Sequence, residues 1–117
     1  QGKSFTMTCL AYKTGQSDII EYIEKKFPFN FADREPMIYF KYNAEIMLGH
    51  AISSGKIPAL VHLLKKLDMD FRQLNINWLN KNDLMIYAIR SGSLEMVRFL
   101  MNAQLNFNYD FFKKLRE

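Results

Sequence analysis

Two glycines and a lysine, in the stretch Gly49-His-Ala-Ile-Ser-Ser-Gly55-Lys56-Ile57, invite comparison with a phosphate-binding loop. That loop reads G-x-x-x-x-G-K-[ST] and lies between a strand and a helix, so that its backbone N–H groups surround the phosphates and its hydroxyl reaches magnesium. Here one residue too many separates the glycines, and Ile57 occupies the hydroxyl position. The stretch therefore predicts a turn between two helices and not a nucleotide site.

The other reactive side chains are His50, His62 and a single cysteine, Cys9. A zinc site needs three or four converging donors, and no cluster of His, Cys and carboxylate has a ligand spacing. A nucleophilic Cys9 would need a base held beside it, whereas a small buried residue is the simpler interpretation. We expect no enzymatic activity, no cofactor and no metal.

The composition predicts one soluble globular domain over residues 1–117. Hydrophobic residues make up 49% of the chain and charged residues 24%, and no apolar run is long enough for a membrane span. The net charge of +4 is too small to indicate nucleic acid as the partner. A lone cysteine favours a reducing compartment, so we expect the cytoplasm, or the host cytosol if the protein is a secreted effector. The abundance of Lys, Asn, Ile and Phe is typical of a low-GC organism, such as a protist or an intracellular bacterium.

A composite pattern occurs three times along the chain. Each copy reads A-x-x-[ST]-G, and apolar residues follow four, five and eight positions after the glycine. The glycines are Gly15, Gly55 and Gly92, which are 40 and 37 residues apart. Apolar residues at this spacing lie on one face of a helix, so an amphipathic helix is predicted after each glycine. Neither this helix nor a neighbour can bury its apolar face alone, so the units are expected to stack.

A shorter helix is predicted before each glycine, over residues 5–13, 44–53 and 83–90. The glycine supplies the backbone freedom that a tight turn between two helices requires. Ser93 is the expected N-cap of the last helix, and Pro58 is expected in the first turn of its equivalent in the second unit.

The best-preserved copy, residues 88–108, reads AIRSGSLEMVRFLMNAQLNFN. It resembles the ankyrin repeat, AAxxGHLEIVKLLLxxGADVN, with identities at Gly92, Leu94, Glu95, Val97, Leu100 and Asn108. The resemblance divides the chain into repeats over about 5–32, 44–72 and 83–108, with 109–117 as a cap or the start of a further repeat. It implies an all-α, ankyrin-like helical-repeat solenoid of about three helix-turn-helix units. It also implies a non-enzymatic scaffold that binds another protein through inter-repeat loops and its concave face. A different α-solenoid is the structural alternative.

The connections between units are longer than the family's, by about six residues over 33–45 and about three over 73–82. They are either hairpins or extra helices, and Pro36 followed by an apolar run favours a helix in the first. Exposed aromatic residues there would bury much area at little entropic cost, unless they fold back onto the core. The candidate partner-binding residues are Arg34, Tyr39, Tyr42, Trp78, Asn80 and Lys81.

Two alternatives to a stand-alone interaction module stay open. The chain begins at Gln1 without a Met, which is compatible with the recognition domain of a larger enzyme or effector whose catalysis lies elsewhere. The second alternative is an acidic or anionic partner bound by the lysine pairs Lys25–Lys26 and Lys65–Lys66. These pairs are equally explained as cations that suit a helix C-terminus.

Overall fold

Six helices make up the part of the chain that the structure, a computed structural model, describes: residues 2–29, 37–70 and 80–103. No strand occurs in these residues, so the all-α prediction is confirmed. The helices are α1 (Gly2–Thr14), α2 (Ser17–Lys26), α3 (Met37–Ser53), α4 (Ile57–Lys66), α5 (Lys81–Arg90) and α6 (Leu94–Asn102). None of them combines the length and the apolar character that crossing a bilayer requires.

The helices pack as three pairs, α1 with α2, α3 with α4 and α5 with α6. The first helices of the pairs also pack on each other, with α3 between α1 and α5. One continuous core runs through all three pairs, and Tyr12, Leu48, Leu60, Leu84 and Leu100 are completely buried in it. Because α3 is covered by α1, α4 and α5, it carries apolar residues around much of its circumference.

The three predicted turns are confirmed, and they share one geometry. Gly15, Gly55 and Gly92 have φ values of 70°, 71° and 75°, in the left-handed region that only glycine adopts without strain. In each turn the glycine N–H donates to the backbone carbonyl three residues earlier, at 3.0 to 3.1 Å. A helix therefore ends one or two residues before each of these glycines, and the next helix begins two residues after it.

The hydrogen bonds of the hydroxyl explain why each turn glycine follows a Ser or a Thr. It donates to the carbonyl of the alanine three residues earlier and accepts from the backbone N–H two residues later. The donated bonds are 2.6 Å for Thr14, 2.5 Å for Ser54 and 2.6 Å for Ser91, and each accepted bond is 3.1 Å. One side chain thus satisfies a carbonyl at the end of the first helix and an N–H at the start of the second.

The first turn contacts the second, and the second contacts the third, through residues at equivalent positions. A Cβ added to Gly15 would meet the side chains of Ser54 and Lys56, which flank the next turn glycine. A Cβ added to Gly55 would meet Ser91 and Ser93, the equivalent residues of the third turn. The first and second turns are therefore related in space as the second and third are.

The second helices follow the predicted pattern in their caps and buried faces. Ser93 accepts a 3.1 Å hydrogen bond from the backbone N–H of Met96, and Pro58 lies in the first turn of α4. Four positions after the glycine, Ala59 and Met96 are fully buried, but Ile19 is 41% exposed. In the described chain, Ile19 lies in the first pair, on which no earlier pair packs.

The start of α3 differs from the prediction. The sequence analysis begins this helix at Ala44 and assigns residues 33–45 to a connection, but the helix begins at Met37, about two turns earlier. In the sequence, Pro36 is the residue immediately before Met37. For the connection over 33–45, the helical alternative is therefore correct from Met37 onward. Most of the second connection, residues 71–79, lies outside the described residues.

Candidate functional site

A groove of about 450 Å³ lies between α3 and α5 and reaches Lys13 near the end of α1, so that all three first helices contribute to it. We call it the first-helix groove. Each first helix contributes to its lining. Helix α1 contributes Lys13, helix α3 contributes Tyr42, Glu45, Ile46, Gly49, His50 and Ser53, and helix α5 contributes Asp83, Leu84 and Tyr87. Its residues on α3 recur every three or four positions, which places them on one face of the helix. The site is thus built by stacking first helices side by side.

The wall between α3 and α5 depends on a glycine inside a helix. A Cβ at Gly49 would lie 3.0 Å from Cε2 and 3.3 Å from Cδ2 of Tyr87, so the ring packs directly against the α3 backbone. Glycine in a helix interior costs about 1 kcal/mol relative to alanine. Here it makes room for an aromatic side chain that is 36% exposed at the groove.

Tyr42 is the predicted partner-binding residue that the structure places in this groove. Its side chain is 63% exposed, and it projects from α3, not from a connection. Tyr39 also lies in α3 and Lys81 begins α5, but their side chains are outside the described part of the chain. Arg34 and Trp78 lie wholly outside it.

Asn80 has a structural role at the start of α5. Its side-chain oxygen accepts a 3.1 Å hydrogen bond from the backbone N–H of Asp83, the geometry of an N-cap. The side chain remains exposed, so its assignment to a partner surface stays a prediction.

The sequence analysis missed most residues of the groove, including Glu45, Gly49, Asp83 and Tyr87. A signal was present in the spacing, because Tyr42, Glu45, Gly49 and Ser53 fall on one face of a helix once the helix is extended to Met37. Assigning residues 33–45 to a connection hid that face.

Charge is distributed unevenly along the groove. Lys13 lies at the turn end of α1, while Glu45 lies in the middle of α3 and Asp83 in the first turn of α5, both well before the turn that ends their helix. Burial, and then the positive charge of Lys13, lower the pKa of His50 below its ordinary value, so the imidazole is neutral at neutral pH. One end of the groove is therefore cationic and the other carries two carboxylates.

A second polar cluster joins the first two helix pairs, and we call it the Glu24 cluster. Tyr12 donates a 2.9 Å hydrogen bond from its hydroxyl to Oε2 of Glu24, and Nε2 of His62 lies 2.9 Å from Oε1 of the same carboxylate. Nζ of Lys66 lies 4.0 Å from Oε1. Tyr12 is fully buried, so its hydroxyl is closed to a substrate. The cluster ties α1, α2 and α4 together, and the side chains of His62 and Glu24 are 33% and 15% exposed.

Buried acidic protons make the fold sensitive to alkali, and we expect stability to fall above about pH 9. Burial raises the pKa of the Cys9 thiol to about 11. Burial, followed by the charge and hydrogen bond of Glu24, raises the pKa of Tyr12 above its ordinary value. The folded chain therefore holds both protons more tightly than the unfolded chain. The stabilisation is complete below the unfolded-state pKa values and is lost as pH rises toward the folded-state values.

Urea unfolding between about pH 8 and about pH 10.5 measures this dependence. The fall in stability should become shallower in a variant carrying both Cys9→Ala and Tyr12→Phe, which removes both protons. A stability that stays constant over this range in the unmodified protein would contradict the expectation.

The lysine pairs lie in the last turns of α2 and α4, as the sequence predicts. Two of the four lysines interact with their own chain. Nζ of Lys66 approaches Glu24, and Nζ of Lys26 lies 5.8 Å from the ring centroid of Tyr22. Among the described residues, no group of three or more His, Cys, Asp or Glu side chains is placed to hold a metal ion.

Comparison with models of protein families, with curated protein sequences and with solved structures gives no significant match.

Proposed function

We propose that this chain is a non-enzymatic protein-interaction module, an ankyrin-like stack of three helix pairs that binds a partner protein in the first-helix groove. The observation that carries the proposal is the groove itself, which spans all three first helices and exposes Tyr42 and Tyr87 beside charged side chains. Exposed tyrosines in a concave site are typical of protein-binding hot spots, because two torsion angles position a large amphipathic ring.

The repeated turns support the ankyrin-like part of the proposal. The same hydroxyl hydrogen bonds, the same left-handed glycine and the same turn-to-turn contacts occur at each equivalent place. A stack of similar units places the first helices side by side, so their exposed faces combine into one extended surface. A single helix pair of this length cannot form such a surface.

We expect Tyr42→Ala and Tyr87→Ala each to weaken partner binding about tenfold or more, because hot-spot truncations commonly cost over about 1.4 kcal/mol. Binding is measured with peptides recovered from a random library displayed on phage and selected on the immobilised chain. The dissociation constant of a recovered, fluorescently labelled peptide is then determined by anisotropy for each variant.

Tyr22→Ala is the matched control. Tyr22 is 60% exposed, close to the 63% of Tyr42, but it lies on α2, away from the groove. Its substitution should leave the dissociation constant within about twofold, which is about 0.4 kcal/mol. Far-UV circular dichroism checks that every variant keeps its helicity. The proposal fails if no recovered peptide depends on Tyr42 or Tyr87, or if Tyr22→Ala has the same effect.

A further inference from the structure

Two carboxylates line the acidic end of the first-helix groove, and among the described residues neither has an ion-pair partner. Glu45 projects from α3 and Asp83 from α5, and both line the groove. Ion pairs in the described chain involve neither of them. Asp83 lies in the first turn of α5, where its backbone N–H donates to the side chain of Asn80 and its carboxylate takes no part in that bond. Within the described part of the chain, both carboxylates can therefore take a ligand as their partner.

Each of these carboxylates has a tyrosine neighbour on its own helix. Tyr42 precedes Glu45 by three positions, and Tyr87 follows Asp83 by four, the spacings at which side chains on one helix face each other. Aromatic faces attract cations, and carboxylates form charge-assisted hydrogen bonds with them. Two tyrosines and two carboxylates around one groove favour a positively charged side chain.

We infer that the groove recognises an arginine side chain of its partner, inserted between Tyr42 and Tyr87 with its guanidinium toward Glu45 and Asp83. This inference rests on the proposed function and names the partner chemistry of the same site. Arginine fits better than lysine, because its planar guanidinium can bind a carboxylate through two parallel hydrogen bonds and stack on an aromatic ring at once. Lys13 also lines the groove and repels a cation placed beside it, so the arginine is expected beside Glu45 and Asp83 and not beside Lys13.

A cationic side chain would bind this site against the overall charge of the protein. The chain carries a net charge of +4, so non-specific attraction would favour acidic peptides. An arginine preference must therefore come from a local site that opposes the net charge.

The test is a pair of selections from one random peptide library, on the unmodified chain and on the Glu45→Gln/Asp83→Asn variant. The substitutions keep the side-chain shapes and remove both charges. Arginine should be enriched in peptides selected on the unmodified chain and should return to its library frequency in those selected on the variant. Replacing that arginine by citrulline, its uncharged analogue, should weaken binding about tenfold on the unmodified chain and less than about twofold on the variant.

Glu21→Gln is the matched control, because Glu21 is an exposed carboxylate on α2 outside the groove. It should keep the full arginine preference. Peptides that need Tyr42 or Tyr87 but show no arginine preference would overturn the inference and leave the proposed function intact. Arginine enrichment that persists in the Glu45→Gln/Asp83→Asn variant would also overturn it. If no peptide depends on the groove tyrosines, the proposed function fails and the inference fails with it.

Discussion

Gly15→Ala is expected to lower the free energy of unfolding by about 2–4 kcal/mol, whereas Gly92→Ala should lower it by only about 1 kcal/mol. Both glycines have a left-handed backbone, with φ of 70° and 75°, so an alanine at either position is strained. The difference comes from their surroundings. A Cβ at Gly15 would overlap Cγ of Lys56 and would lie 2.9 Å from its Cβ and 3.0 Å from Cβ of Ser54.

Gly92 is the natural control because no atom lies within 4 Å of a Cβ added there. Its alanine variant measures backbone strain alone, and the excess cost at Gly15 measures the contact between two neighbouring turns. Urea unfolding monitored by circular dichroism gives both values. Equal costs for the two variants would show that the turns do not pack as closely as described.

Glu24→Ala is expected to lower the free energy of unfolding by about 2–3 kcal/mol. The carboxylate accepts the hydrogen bond of Tyr12, whose side chain is fully buried, and it also contacts His62. Removing it leaves the buried tyrosine hydroxyl without its acceptor, and an unsatisfied buried hydroxyl costs about 1–3 kcal/mol. The loss of the contact with His62 adds to that cost.

A double-mutant cycle with Tyr12→Phe separates these contributions. In the phenylalanine background no hydroxyl is left unsatisfied, so Glu24→Ala should cost about 1 kcal/mol less than in the unmodified protein. Glu21→Ala, an exposed substitution on the same helix, should change stability by less than about 0.5 kcal/mol. Independent effects of Tyr12→Phe and Glu24→Ala would contradict the buried hydrogen bond.

The local parts of the fold follow from the sequence because neighbouring residues determine them. The A-x-x-[ST]-G pattern contains every residue that the turn needs. The glycine adopts the left-handed backbone, and the Ser or Thr hydroxyl donates a hydrogen bond to the carbonyl of the alanine. Ser93 and Pro58 mark helix starts by equally local rules. Such features need no knowledge of the tertiary packing.

The start of α3 and the Glu24 cluster were not predicted, for two different reasons. Comparison with a regular repeat made residues 37–43 look like an insertion, although an apolar run after Pro36 is a good helix start. In the cluster, Glu24 and His62 are 38 positions apart and belong to different helix pairs. Only the stacking of α2 and α4 brings them together.

The groove could be predicted in outline but not in its residues. The exposed face of the short helices was expected to contribute to binding, and Tyr42 was among the expected residues. Tyr87 was not, because it lies in the predicted short helix over 83–90, whereas the candidate aromatic residues were taken from the connections. Its exposure depends on Gly49, a residue of another helix, and on the packing distance between α3 and α5.

The contacts between successive turns have a consequence for how this chain tolerates change in length. The turn glycines are 40 residues apart at one junction and 37 at the other, yet the turns meet through equivalent residues at both. The helix pairs are therefore aligned by the contacts between their turns. The number of residues that join one pair to the next, at the opposite end of the helices, does not determine this alignment. We therefore expect the frame that carries the groove to tolerate a change in the number of residues between helix pairs better than a change in the number of residues within a turn.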